Sequence, residues 1–158
     1  MAADPNCIFC RIVAGRAQAS VIYRDELACS FMDHRPVNPG HLLVVPNGHA
    51  SHLSELDEGS GCRMFVVGMR LAEALRTIGL PCEGVNLYLA DGAVAGQTVF
   101  HSHLHVIPRY DGDGFGLRRW APPRGQPDRS ELDVTAGQLS KALESAGTPT
   151  TTKGMDAS

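Results

Sequence analysis

The chain has 158 residues, 43% of them hydrophobic, and a formal net charge of −3, which suits one compact domain with a buried core. Its slight acidity leaves no basic stripe for duplex nucleic acid or an anionic membrane, and no apolar run is long enough to span a bilayer. Both lysines, Lys141 and Lys153, lie near the carboxyl end, which removes Schiff-base chemistry and a lysine-gripped phosphate loop from the core.

Met1 to Cys10 has neither the charged lead nor the apolar stretch of a signal peptide, so a cytoplasmic protein is expected. Five cysteines make an odd set, and a chain of this size builds its core without staples, so reduced thiols or a metal site are expected. Cys29, Cys62 and Cys82 read as ordinary buried thiols.

Along the chain, Val21 to Met32 predicts two short strands around a turn at Arg24, Asp25 and Glu26. Arg35 to Gly40 punctuates the chain, and the β-branched run His41 to Val45 predicts a central strand ending at Pro46. Between Gly61 and Gly79 the residues Met64, Val67, Met69, Leu71, Leu75 and Ile78 recur near helical spacing and predict one long helix. Val85 to Ala90 predicts a strand, Asp91 to Gly96 a loop, and Thr98 to Ile107 a strand closed by Pro108. The body is therefore α+β, with a mostly antiparallel sheet of about five strands.

After Tyr110 the composition turns to glycine, proline and arginine, so Gly112, Gly114 and Gly116 read as loop residues. Leu132, Ala136, Leu139 and Leu143 line one face of a short helix that Ser130 is placed to cap. The expected organisation is a domain over 1–115, an extension over 116–146 carrying that helix, and a disordered tail over 147–158.

The most informative segment is Phe100-His101-Ser102-His103-Leu104-His105-Val106. Alternation on a strand sends its three histidines to one face, and packing explains them poorly because buried imidazoles need hydrogen-bond partners. There is no G-x-S-x-G elbow and no H-E-x-x-H helix, although His49 and His52 are paired. A single zinc ion held by all three histidines is awkward, since His101 and His105 sit roughly 13 Å apart along a strand. A division of labour, with neighbouring histidines bracketing a tetrahedral phosphorus and one attacking it, fits better.

His101-Ser-His103-Leu-His105-Val, preceded by Gly96-Gln97-Thr98-Val99, resembles the signature of the histidine triad (HIT) superfamily. Cys7-Ile-Phe-Cys10 and Pro39-Gly40-His41-Leu-Leu-Val-Val-Pro46 extend the likeness over roughly residues 7 to 115. The resemblance implies a HIT fold, a homodimer, and cleavage at the α-phosphate of a purine nucleotide conjugate through a nucleotidyl-histidine. By position it makes His103 the nucleophile, oriented by the backbone carbonyl of His101, with His105 contacting phosphate and leaving oxygen and His41 supporting the cluster. It gives Gly96 and Thr98 to the phosphate, beside which Gln97 and Val99 can supply further backbone N–H donors, and Asp33 to the ribose hydroxyls; His34, unusual beside Asp33, reads as an edge of the base pocket.

The sequence departs from the family at Ala90, where an amide side chain commonly reaches toward the phosphate or leaving group. That departure leaves open a nucleotide-binding sensor or interaction module with little turnover. The stretch from Ala93 to Thr98 resembles the fragile histidine triad diadenosine polyphosphate hydrolases, whereas the cysteine start resembles bacterial phosphoramidase relatives. Resemblance also implies structural zinc on Cys7, Cys10, His49 and His101, with His52 the substitute for His49. A metal-free fold with buried thiols is the alternative.

Overall fold

The computed structural model describes residues 3–116 and 128–145. Two compact units are distinguished, Met1–Phe115 and Gly116–Ser158. The first contains the short helix α1 (Ile8–Val13), strands β1 (Val21–Arg24), β2 (Ala28–Met32) and β3 (Leu42–Pro46), helix α2 (Glu58–Leu75), and strands β4 (Gly84–Leu89) and β5 (Leu104–Arg109). In the second, the described element is helix α3 (Arg129–Ser145).

The five strands form one antiparallel sheet in the order β1-β2-β3-β5-β4. The first hairpin forms as the sequence predicts, because Asp25 Oδ1 accepts from the backbone N–H groups of Leu27 and Ala28 at 2.9 and 2.8 Å and closes the turn. Strand β3 is buried on both faces, which explains its unbroken apolar run. On one face Leu42 and Val44 join Leu104, Val106 and the α2 residues Met64, Val67 and Leu75. On the other, Leu43 and Val45 join Cys29, Phe31 and the α1 residues Phe9, Cys10 and Ile12. Helix α2 lies so close to the sheet that a Cβ on Gly68 would stand 2.9 Å from Leu104 Cδ2.

Several boundaries differ from expectation. Helix α2 starts at Glu58, three residues before Gly61, because Asp57 caps it by accepting from Ser60 N–H at 2.9 Å. The strand expected over Thr98 to Ile107 begins only at Leu104. Its β3 partner register ends at Val44 paired with Leu104, and Ser102 N–H instead donates to Ala50 O at 2.6 Å. The same strand runs through Pro108 to Arg109. Proline is tolerated there because β3 pairing has already ended at Val106, and the Pro108 carbonyl accepts from Asn38 Nδ2 at 2.8 Å.

Cys29 is fully buried, but Cys62 is exposed on α2 and Cys82 half-buried, so only the first is a core thiol. Ser130 lies inside α3, which starts at Arg129, and its hydroxyl donates to Asp128 Oδ1 at 2.7 Å. Gly112, Gly114 and Gly116 lie outside helix and strand. The expected tail over 147–158 lies outside the described residues. Among the described residues, no helix is long and apolar enough to cross a membrane.

Candidate active site and metal centre

On the α1 side of the sheet, His105 occupies the cross-strand row between Leu43 on β3 and Tyr88 on β4. His103 and His101 precede it on the extended approach to β5, not on the strand itself. The rings of His103 and His105 nevertheless meet at 4.9 Å between centroids. His101 is fully buried, His103 is 4% exposed, and His105 is half-buried.

Hydrogen bonds assign a proton to each ring. His103 Nδ1 lies 2.8 Å from the carbonyl oxygen of His101. A carbonyl only accepts, so Nδ1 carries the proton and Nε2 keeps its lone pair. His41 Nδ1 accepts from Val37 N–H at 3.1 Å, so the proton of that ring is on Nε2. This nitrogen donates to His105 Nδ1 at 2.9 Å, leaving the His105 proton on Nε2. Adjacent rings therefore carry opposite tautomers, one with an open lone pair and one with an open N–H.

Burial keeps these rings neutral. It is the largest cause of the lowered values of His41 and His103. His105 is pushed down to about 4 by burial first, and then by His103 and His41. Asp33 opposes the shift weakly, with Oδ2 at 3.6 Å from His41 Nε2 and 4.0 Å from His105 Nδ1. Its other oxygen accepts from Arg35 N–H at 2.8 Å, so the carboxylate faces the histidine cluster from the end of β2. His34, beside it, points outward with its side chain 87% exposed.

The loop before the histidines turns on Gly96, whose φ of +95° is the left-handed conformation glycine adopts without penalty. Gln97 is buried, and its side chain is spent on the loop. It accepts from Gly92 N–H at 2.7 Å and donates to Ser51 O and Val99 O at 2.8 and 3.0 Å. Thr98 is exposed and Val99 packs against the α1 cluster. Ala90 is 4% exposed and brings a methyl where no donor is available.

A second cluster stands beside the first. Cys7, Cys10, His49 and His101 each aim one donor atom into a group whose members all lie within 4.8 Å of one another. His101 Nδ1 is 3.5 Å from both sulfurs, and His49 Nδ1 is 3.3 Å from Cys10 Sγ. Tetrahedral zinc places sulfur and nitrogen ligands about 3.5 Å apart, given Zn–S and Zn–N bonds of about 2.3 and 2.0 Å. The residues fit that ion. His101 Nε2 donates to Pro46 O at 2.9 Å, which turns its bare Nδ1 toward the sulfurs, the arrangement a metal-binding imidazole needs. Burial pushes the Cys10 thiol up, a cost that a bound cation offsets by stabilising thiolate. His52 stands apart, with Nδ1 3.2 Å from Asp91 Oδ1.

A third group, Asp33, His41 and His105, also clusters. The 2.9 Å His41–His105 separation is that of a hydrogen bond with its proton already placed, and the pair serves the histidine cluster.

Residues 14–112 match the HIT domain. The chain belongs to the HIT family. It is 41% identical over 115 residues to an uncharacterized HIT-like protein of Borreliella burgdorferi, covering 72% of this chain and 83% of that one. Among solved structures, it is similar to a zinc-bound histidine triad family protein from Mycobacterium smegmatis, with TM-score 0.68 and 41% identity. That match covers 87% of this chain and 97% of the other. It is also similar to a histidine triad nucleotide-binding protein from Candida albicans, with TM-score 0.78 and 27% identity over 90% and 100% of the two chains. The α+β fold expected from the sequence is the HIT fold. Membership places the chain among nucleotide hydrolases, nucleotidyltransferases and nucleotide-binding proteins.

Sequence reasoning does not find α1, Phe9 within it, or the inward turn of Gln97. A six-residue helix is too short for a periodic signal, and the Gln97 contacts depend on chain segments 46 residues apart.

Proposed function

We propose that this HIT protein cleaves the bond between the α-phosphate of a purine nucleotide and its leaving group, through a nucleotidyl intermediate on His103. The observation that carries the reading is the pair of opposite tautomers on His103 and His105. The His103 Nε2 lone pair attacks the α-phosphorus, and the phosphorus bond to the leaving oxygen or nitrogen breaks. The leaving group takes the Nε2 proton of His105. Water, or another acceptor in a transferase, then attacks the phosphorus and breaks the P–N bond to His103, while His105 recovers a proton from it.

The Thr98 hydroxyl and the backbone N–H groups of Thr98 and Val99 receive the phosphate charge, while Gly96 and Gln97, whose N–H groups donate to Ala93 O and Gly92 O at 3.0 and 3.1 Å, shape that loop. Asp33 accepts from the ribose hydroxyls, and His34 lies at the rim of the base site. Zinc on Cys7, Cys10, His49 and His101 supplies structure, tying α1 and the segment after β3 to the histidine approach. We assign the protein to the cytoplasm as a homodimer. The substrate is a phosphoanhydride, such as a dinucleoside polyphosphate, or a phosphoramidate.

The buried methyl of Ala90 favours one other reading, a nucleotide-binding module with little turnover. Steady-state hydrolysis of an adenosine phosphoramidate and of diadenosine polyphosphate, beside nucleotide affinity, separates the two. Turnover of either substrate that disappears in His103→Ala supports the enzyme. Tight binding with no turnover of either supports the module.

A further inference from the structure

Phe9 stands against both histidines on which the site depends. Its ring is 7% exposed, with its centroid 5.3 Å from that of His103 and 5.9 Å from that of His101, at interplanar angles of 75° and 74°. Behind it, Phe31 of β2 packs at 5.4 Å. Phe9 lies on α1 between Cys7 and Cys10, whose sulfurs each lie 3.5 Å from His101 Nδ1. One turn and a half of helix without a side-chain cap has no stability of its own. Its place is set by what it packs on and by what holds those sulfurs.

The single hydrogen bond from His103 Nδ1 to the His101 carbonyl fixes the tautomer but leaves the ring free to rock about the N···O line. A near-perpendicular aromatic contact restrains that motion, and edge-to-face contacts are favourable beyond the area they bury. We propose that Phe9 is a positioning residue. Metal held by Cys7, Cys10, His49 and His101 fixes α1, and Phe9 passes that constraint to His103, holding Nε2 on its line of attack. The proposal rests on His103 being the nucleophile, and gives the metal centre a route to the chemistry that involves no contact with substrate.

The variant is Phe9→Leu, which keeps apolar bulk but loses the flat ring. Three quantities are measured: bound zinc by elemental analysis, the single-turnover rate of adduct formation at saturating substrate, and 15N relaxation of the His103 imidazole. The expected result is wild-type zinc content, added His103 ring motion, and adduct formation slowed roughly tenfold, the scale of a sub-ångström loss of alignment. Chelating the folded wild type slows the same step, and chelation of Phe9→Leu adds less than that factor again. An unchanged saturated rate, an effect confined to KM, or losses that simply multiply overturns the proposal. If wild type forms no adduct, the covalent reading fails, and the relaxation data still decide Phe9. Added ring motion in Phe9→Leu then supports its positioning role, and wild-type relaxation overturns it.

Discussion

His41 donates its Nε2 proton to Nδ1 of His105 across 2.9 Å, and it does so because Val37 N–H occupies its own Nδ1. A buried ring thus decides which nitrogen of its neighbour is protonated. Replacing His41 by alanine frees His105 to adopt either tautomer. The expected outcome is a kcat lowered roughly ten- to a hundredfold with KM little changed, the scale seen when an orienting partner is lost. Steady-state kinetics of His41→Ala check it, and a loss confined to KM contradicts it.

Acid should act on activity and stability through the same rings. The proposed attack needs His103 as a neutral imidazole, and burial lowers its value, so the acid limb of kcat/KM is expected below 6.5, the ordinary histidine value. For stability, His105 titrates at about 4 in the fold and near 6.5 when unfolded. Between these values the unfolded chain binds more protons, so stability falls as pH drops through that window and is flat above it for this group. Urea unfolding at pH 7, 6 and 5 measures the slope, and His105→Asn should reduce it.

Gln97 makes a prediction that separates loop shape from chemistry. Its buried side chain bonds Gly92 N, Ser51 O and Val99 O, and Gln97→Leu leaves those groups without these partners. A loss of about 1–3 kcal/mol is expected, with weaker nucleotide binding from a loosened phosphate loop. Denaturant titration and calorimetric binding to the variant check both. Wild-type stability would mean that water replaces the amide fully.

Helix α2 was legible because its apolar residues repeat near helical spacing, the central strand because an unbroken apolar run suits burial on both faces, and the hairpin because Asp25 marks its turn. The histidine face was legible for a subtler reason. His101 and His103 lie off the strand, yet the Phe9 ring meets both and the His103 ring meets that of His105, so the grouping survives the missing ladder. What the sequence conceals are contacts made by distant segments. Nothing near Phe9 marks it as the wall behind His103, and nothing near Gln97 says that its amide turns toward Ser51 and not outward. The metal set, His49 before His52, was legible through the family resemblance, and the structure brings those four donor atoms together with His49 Nδ1 3.3 Å from Cys10 Sγ.

Metal removal should read out as folding. A ligand at about a hundred times its dissociation constant stabilises by about 2.7 kcal/mol, which for a chain of this size lowers Tm on removal by on the order of 5–10 °C. Chelator should produce that shift in the wild type, zinc should reverse it, and Cys10→Ser should already sit at the lower value. A wild type whose Tm ignores chelator, with no zinc bound on purification, would mean that the thiols pack without metal.

Covalent catalysis on His103 leaves a nucleotidyl adduct that intact-protein mass after rapid quench detects. Wild type mixed with an adenosine phosphoramidate or diadenosine polyphosphate is predicted to gain the mass of one adenylyl group within a turnover. His103→Ala should show no such gain while still binding nucleotide. Turnover by the wild type with no adduct at any quench time, or an adduct that persists in His103→Ala, would rule out His103 as the nucleophile.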